Sequence, residues 1–203
     1  MAKIKLTKTE LKSQSDALKR FQRFLPMLQL KKQQLQAEIA GISAKADEAL
    51  ERERALRKGL EGWVGLLATD EALVDGLVRV KSVRTGTANI AGVEIPTFSG
   101  IDAEVREMDA WATPAWVDAA ADAAKKALEI KCERAVYEEQ RRLVAEELRH
   151  TSQRVNLFEK VKIPECKEAI RVIKIALGDE QAAAVTRGKI AKARVPEGGE
   201  EAA

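Results

Sequence analysis

The stretch LKSQSDALKRFQRFLPMLQLKKQQLQAEIAGISAKADEALERERAL, residues 11–56, repeats apolar side chains at every third or fourth position. Alternating steps of three and four form the heptad period, which predicts a helix supercoiled around another helix. We call the repeating positions the seam; in this stretch they are Leu11, Gln14, Leu18, Phe21, Leu25, Leu28, Lys32, Leu35, Ile39, Ile42, Ala46, Ala49, Glu53 and Leu56. The seam keeps its phase across Pro26, so we expect a local bend there and not a helix end.

A second long helix is predicted from about residue 114 to residue 193. Thr113 suits the N-cap, and Pro114 suits the first helical position, where a missing N–H does no harm. Pro164 lies inside this helix, where proline is unfavourable. The seam is less regular than in the first helix. We assign it to Val144, Leu148, Val155, Phe158, Ile163, Cys166, Ile170, Ile173, Leu177 and Ala184.

Between the helices, residues 77–98 are rich in Val, Ile and Thr, with alternation at Val78 and Val80. This composition predicts a β-hairpin or two short strands. Gly92 can supply the positive φ that a tight turn requires. Residues 99–116 are expected to be a connector with a short helix before Thr113.

Neither helix can bury its seam alone, and the simplest partner for each is the other, folded back antiparallel. The predicted fold is therefore all-α, a long antiparallel two-helix coiled coil with a small β-hairpin insert near the bend. We divide the chain into an N-terminal helix (1–76), an insert (77–113), a C-terminal helix (114–193) and a disordered tail (194–203).

Composition agrees with long helices and offers little catalytic chemistry. Charged residues make up 33% of the chain and aromatic residues 4%, which is typical of coiled coils and not of a compact core. One histidine, His150, and two distant cysteines, Cys132 and Cys166, form no catalytic or metal-binding pattern. We predict no catalytic, cofactor-binding or metal-binding residue. The start lacks a signal peptide and no long apolar run follows, so we expect a cytoplasmic protein.

The net charge is only +3, but basic residues concentrate at both ends of the chain. In an antiparallel hairpin these ends meet at one tip. Such a tip could contact nucleic acid, an anionic membrane or an acidic protein. The basic residues that we single out are Lys19, Arg20, Arg23, Arg187 and Lys189.

Several motifs, taken together and in order, resemble one family. RVNLFEKVKIP (154–164) is similar to the C-terminal signature of the D subunit of the V-type (A-type) ATPases, bacterial branch. The opening helix with its Leu25–Pro26 pair, NIAGVEIPTF (89–98), ATPAWVDAA (112–120) and LGDEQAAAVTRGKIAK (177–192) resemble further segments of that family.

The resemblance implies a central rotor shaft of the ATP synthase, without an active site or cofactor, which links ATP turnover to hydrogen ion or other ion transport. Its implied partners are the catalytic and nucleotide-binding subunits of the ring, the small F subunit of the rotor and the membrane-ring adaptor subunit, with no direct nucleic acid and no membrane insertion. The protein would be cytoplasmic and peripheral to the membrane. The five basic residues singled out above are expected to contact the ring, and the outside should be charged, without large apolar patches. Two alternatives stay open, a stand-alone coiled-coil adaptor and a nucleic-acid-binding helical hairpin.

Overall fold

A computed structural model describes residues 5–65, 74–108 and 113–194. Two long helical stretches enclose a two-stranded antiparallel hairpin, which confirms the predicted fold class. In chain order the elements are α1 (Lys8–Leu60), β1 (Val78–Ile90), β2 (Val93–Val105), α2 (Trp116–Leu157), a π-helical turn (Phe158–Lys162) and α3 (Ile163–Arg194).

Helix α1 runs unbroken through Pro26 for 53 residues, as its continuous seam predicts. Thr7 caps its first turn, since the hydroxyl oxygen of Thr7 accepts a hydrogen bond of 3.3 Å from the backbone N–H of Glu10. Every seam position that we assigned on α1 is buried or half-buried, and Leu35, Ile42, Ala49 and Glu53 are fully buried. The heptad spacing therefore identifies the packed face of this helix.

The chain forms two compact units, each with its own core. We call Lys31–Thr151 the central unit, and Met1–Leu30 together with Ser152–Ala203 the terminal unit. The domain boundaries that we placed at residues 76, 113 and 193 stay a prediction.

In the central unit, α1 and α2 pack antiparallel. Lys31 pairs with Glu147 at 2.6 Å and Arg52 with Glu133 at 2.8 Å, so partner numbers fall on α2 as they rise on α1. Leu35, Ile42 and Val144 form the core between the helices.

A buried carboxylate lies in the seam of the central unit. Glu53 is only 4% exposed, and its side chain accepts hydrogen bonds from Arg57 at 2.7 Å and Arg134 at 3.0 Å. A buried ion pair adds little net stability over an apolar pair, but removing one partner leaves a desolvated charge. A single charged pair among apolar positions therefore favours the register in which Glu53 meets Arg134.

In the terminal unit, the rings of Phe21 and Phe158 pack with centroids 5.0 Å apart. The seam residues Val155, Cys166 and Ile173 are buried, as is Ala169 beside them, and the seam residues Leu18, Leu25, Leu28, Ile163, Ile170 and Leu177 are half-buried. The assignment of Ala184 to the seam was wrong, because its side chain is exposed.

The π-helical turn explains why the second seam looks irregular. From Phe158 to Ile163 the seam advances by five residues instead of three or four, so this helix carries one extra residue. The N–H of Ile163 donates to the carbonyl of Phe158, five residues back, and this wider turn absorbs the extra residue. Pro164 follows directly, where its missing N–H falls next to a hydrogen-bond ladder that is already rearranged.

The hairpin is longer than the sequence indicated. Each strand has 13 residues, and β2 includes residues 99–105, which we had expected to be a connector. That expectation was wrong because Gly100, at φ +131, is typical of a loop, whereas it lies beside a register shift that bends the strand without ending it. Residues 106–108 are not helical, and the rest of the expected short helix lies outside the described residues.

A two-residue turn joins the strands. Ala91 and Gly92 both have positive φ, +51 and +86, which is the backbone of a type I′ turn. The prediction for Gly92 is confirmed. The side-chain oxygen of Asn89 accepts a hydrogen bond of 2.9 Å from the N–H of Gly92.

Both ends of the hairpin pack on the helices of the central unit. At its base, Leu77 packs with Val117, Ala120 and Ala121, and Trp63 and Trp116 cover this cluster. Near its tip, Ile95 enters the core with Leu35, Ile42 and Val144. Helix α2 begins at Trp116, two residues later than predicted from Thr113 and Pro114.

Replacing Arg134 by Met is expected to lower the free energy of unfolding by about 1–2 kcal/mol, because Glu53 then keeps only Arg57 as a partner. Arg142→Met is the matched control, since Arg142 is exposed and pairs only with Glu139 and Glu146 on its own helix. Its effect should stay below about 0.5 kcal/mol. Thermal unfolding measures both changes, and equal losses would contradict the register role of Glu53.

Deleting Lys160 together with Pro164→Ala should be tolerated, because the step from Phe158 to the next seam residue becomes four and an ordinary α-helix suffices. Deleting Ala145, an exposed residue in regular helix, should instead rotate the seam of all later residues by about 100° and prevent pairing. Circular dichroism and thermal unfolding report the two outcomes. Similar loss of helix in both variants would show that the π-helical turn does not absorb an extra residue.

Candidate partner-binding site

The titratable side chains that the structure describes pair locally or lie apart from one another. Within residues 5–65, 74–108 and 113–194, no group of three or more His, Cys, Asp and Glu side chains could hold a metal ion. His150 is half-exposed, and its Nε2 atom lies 4.0 Å from Oε1 of Glu146 on the same helix. Cys166 is buried, and burial raises the pKa of its thiol, which keeps it protonated and unreactive at neutral pH.

The clefts of the central unit are lined by side chains that already have structural roles. One cleft of about 220 Å³ is bordered by Leu60, Trp63, Leu77 and small alanines of α2. A wider one of about 600 Å³ contains Arg52 and Glu133. Arg52 and Glu133 form an ion pair, and the hydrogen bond that Arg52 donates to Glu133 raises the pKa of Arg52.

Tyr137 completes this group. Its hydroxyl donates to Glu133 at 3.0 Å, and its pKa is raised first by burial and then by this hydrogen bond. Glu133 thus holds two donors in place, which suits a structural junction and not proton transfer.

The predicted basic residues are all exposed. Within the described part of the chain, none of the five has an ion-pair partner. Two other exposed arginines are neutralised locally. Arg142 and Arg171 pair with Glu139 and Glu168 at 2.6 and 2.7 Å, and these arginines lower the pKa of both carboxyl groups. Arg79, Arg141, Arg149 and Arg154 are exposed without an ion pair in the described residues, as the five predicted residues are.

The structure does not gather all five basic residues at one point. Lys19, Arg20 and Arg23 lie beside the Phe21–Phe158 contact, whereas Arg187 and Lys189 lie further along α3. Arg187 follows Phe158 by 29 residues, a separation of roughly 40 Å along the helix. All five belong to the terminal unit.

The last part of α3 is exposed over its whole surface. Residues 178–194 include no buried or half-buried side chain, and Val185 and Ile190 are exposed among basic residues. A helix with no packed face in the described structure is suited to contact with another chain.

The terminal unit also exposes apolar side chains that the sequence analysis did not single out. Phe24, Met27, Leu157 and Val161 are all exposed large apolar side chains of the terminal unit. Sequence reasoning missed them because it followed the seam and treated the remaining positions as solvated. The available signal is that Phe24, Met27 and Leu157 each immediately precede a seam residue, where coiled coils usually carry charge.

No helix in the described ranges is both long enough and apolar enough to cross a lipid bilayer.

Comparison with known proteins identifies the family. The family model described as the ATP synthase D subunit matches residues 10–193. The V-type ATP synthase D subunit of Borreliella burgdorferi is 45% identical over 192 residues, which cover 95% of each chain. Its counterpart in Chlamydia caviae is 32% identical over 98% of this chain and 97% of its own, and that in Chlamydia muridarum is 33% identical over 96% and 97%. As the motifs of residues 154–164 and of both ends predict, this chain belongs to the D-subunit family of the ATP synthases.

Proposed function

We propose that the protein is the central rotor shaft of a V/A-type rotary ATPase. In this role it carries torque between ATP turnover in the catalytic ring and ion translocation by the membrane rotor, and it is a non-catalytic subunit. The observation that carries the proposal is that, within each unit, helices from opposite parts of the chain pair through seam residues that are buried or half-buried. The family membership of the chain supports the same role.

Torque transmission requires that the two helices do not slide or rotate past each other. Interlocked seam side chains oppose such sliding, because each must leave its packed position before it can enter the next. The pair between the buried Glu53 and the half-buried Arg134 adds a charge that has its partner in one register only. The hairpin adds contacts to α2 near Val117 and to both helices near Val144.

We assign the terminal unit to the catalytic ring. Its unpaired Lys19, Arg20 and Arg23, and the exposed end of α3 with Arg187 and Lys189, suit a polar or acidic ring lining. The partners in this proposal are the catalytic and nucleotide-binding subunits, the small F subunit of the rotor and the membrane-ring adaptor. The protein would then lie in the cytoplasm, peripheral to the membrane.

Rotation is tested directly on a complex rebuilt from the full chain and the other subunits of its own ATPase. A bead is attached to the exposed hairpin through Thr87→Cys, with Cys132 changed to Ser and the buried Cys166 left in place. Adding ATP should turn the bead in one direction. Steady ATP hydrolysis with a stationary bead would exclude the shaft role.

Charge reversal tests the ring contact. Arg20→Glu with Arg23→Glu should weaken binding to the ring by about tenfold, because two uncompensated cations of the contact become anions. Arg171→Glu is the control, since Arg171 is exposed in the same unit but is already paired with Glu168. Unchanged affinity and coupling in the double variant would contradict the assignment. Salt-dependent binding of the wild-type chain to duplex DNA or RNA would instead favour a nucleic-acid role.

A further inference from the structure

The two strands of the hairpin differ in how far they are buried. In β2 the consecutive residues from Ile95 to Phe98 are all buried or half-buried. Successive side chains of a strand point to opposite faces, so both faces of β2 are covered there. In β1 the consecutive residues from Lys81 to Thr85 are all exposed. The strand that lies toward the helices is therefore β2, and β1 lies on the outer side of the hairpin.

The two-residue turn determines which backbone groups of β1 point outward. Ile90 and Val93 flank this turn and exchange backbone hydrogen bonds with each other. Pairs along an antiparallel ladder alternate between those that exchange hydrogen bonds and those that do not. Counting back from Ile90, the first, third and fifth residues therefore point their N–H and C=O groups away from β2. These residues are Asn89, Thr87 and Thr85, and we call them the open edge.

Pro96 pairs with Thr87 across the ladder and agrees with this alternation. Its nitrogen carries no hydrogen, which suits a position whose backbone does not bond to the facing strand. Its carbonyl oxygen accepts a hydrogen bond from the side-chain amide of Gln140 on α2, and Gln140 is buried. Helix α2 therefore closes the outer edge of β2 at this level, while the corresponding edge of β1 stays open.

The open edge has no partner among the described residues. No backbone hydrogen bond reaches its outward groups, and its side chains are exposed. Charged residues and proline usually protect an exposed strand edge. Nearer the base of β1, Lys81 and Arg84 carry charge and pair with Glu104 and Asp102, but residues 85–90 contain neither charge nor proline. A neutral strand edge of this kind pairs readily with a further strand.

The open edge is complementary to itself. When two copies pair antiparallel about a two-fold axis at Thr87, this residue lies opposite its own counterpart, and Thr85 lies opposite Asn89 of the other copy. Each of these pairs can exchange both of its backbone hydrogen bonds. Between them, Gly86 lies opposite Ala88 of the other copy, so only small side chains meet there. No two like charges face each other over this segment, so no repulsion opposes the pairing.

The position of β1 leaves room for a second copy. Because β1 is the strand further from the helices, pairing of two β1 strands places the two helix pairs at opposite sides of a four-stranded sheet. The contact covers only a short segment of each chain, which is less than the roughly 800 Å² per partner of a stable interface. We therefore expect a dimer that forms and dissociates readily.

We propose that two copies of the isolated chain pair reversibly through the open edge, Thr85, Thr87 and Asn89, of their β1 strands. Pairing covers backbone groups that would otherwise add strands of other chains without selectivity. Both copies contribute the same surface, so the assembly closes at two chains. This inference goes beyond the shaft role and does not depend on it.

Sedimentation equilibrium of the purified full chain tests the pairing. We expect a dissociation constant on the order of 10–100 μM for the dimer. Thr87→Pro should weaken it by at least about tenfold, because the outward N–H at the two-fold axis is lost. Thr87→Val is the matched control, since it keeps this N–H and a β-branched side chain, and its affinity should stay within about threefold of the wild type. Thermal unfolding of both variants should match the wild type, because the N–H of Thr87 does not bond to β2.

A cross-link supplies a second readout, which also decides the case if Thr87→Pro disturbs the hairpin. Thr87→Cys with Cys132→Ser places two thiols across the two-fold axis, where Cα atoms of paired residues lie about 5.5 Å apart, within reach of a disulfide. Cys166 is buried and stays in place. In a glutathione redox buffer this variant should form a disulfide-linked dimer. Ser99→Cys with Cys132→Ser, exposed on β2 of the same hairpin, is the control and should stay monomeric.

Three results would overturn the pairing. The first is a wild-type chain that stays monomeric up to several hundred μM, roughly ten times the expected dissociation constant. The second is a dimer that persists in a folded Thr87→Pro variant, or a Ser99→Cys variant that cross-links as fast as Thr87→Cys. The third is a monomeric chain whose Thr87 amide is protected from hydrogen exchange only in the rebuilt ATPase, which would assign the open edge to another subunit. None of these results decides whether the bead turns, so the shaft role is tested separately.

Discussion

Burial of one narrow seam between two antiparallel helices is the constraint on which the rest of the structure depends. Aromatic residues are only 4% of the chain, so the seam supplies much of the apolar surface from which the described helices build their core. Each seam residue contributes only when the facing helix covers it, so the two helices must keep a common period along their contact. The π-helical turn at Phe158–Lys162 follows from this requirement, because it returns a helix with one extra residue to the phase of its partner.

The heptad period predicted the packed face of α1, and the need of each helix for a partner predicted the antiparallel arrangement. The glycine at position 92 predicted the turn, since few other residues tolerate positive φ. It could not predict that Glu53 would meet Arg134, because that contact depends on the register between segments far apart in the chain. The length of β2 was missed for a local reason. Gly100 is typical of a strand end, and only pairing with Arg84 shows that the strand continues.

The site could be predicted in composition but not in arrangement. The exposed cations were visible as excess charge, yet their spread along the terminal unit follows from which residues face each other across the seam. The exposed apolar side chains beside the seam of the terminal unit were missed for a different reason. A search for buried side chains passes over apolar residues beside the seam, and their exposure becomes evident only when both helices are in place. The terminal unit therefore exposes apolar side chains and unpaired arginines. In the central unit, by contrast, charged residues beside the seam pair between the helices, as Lys31 with Glu147 and Arg52 with Glu133.

The hairpin has a mechanical consequence of its own. Its base packs on α2 beside Trp63, and its tip packs on both α1 and α2, at points separated by roughly 40 Å for strands of 13 residues. If the supercoil between these points tightened or loosened, the anchors would turn relative to each other and the two strands would have to slip in opposite directions. The backbone hydrogen bonds between β1 and β2 resist that slip. The hairpin therefore limits how far this part of the coiled coil can overwind or unwind.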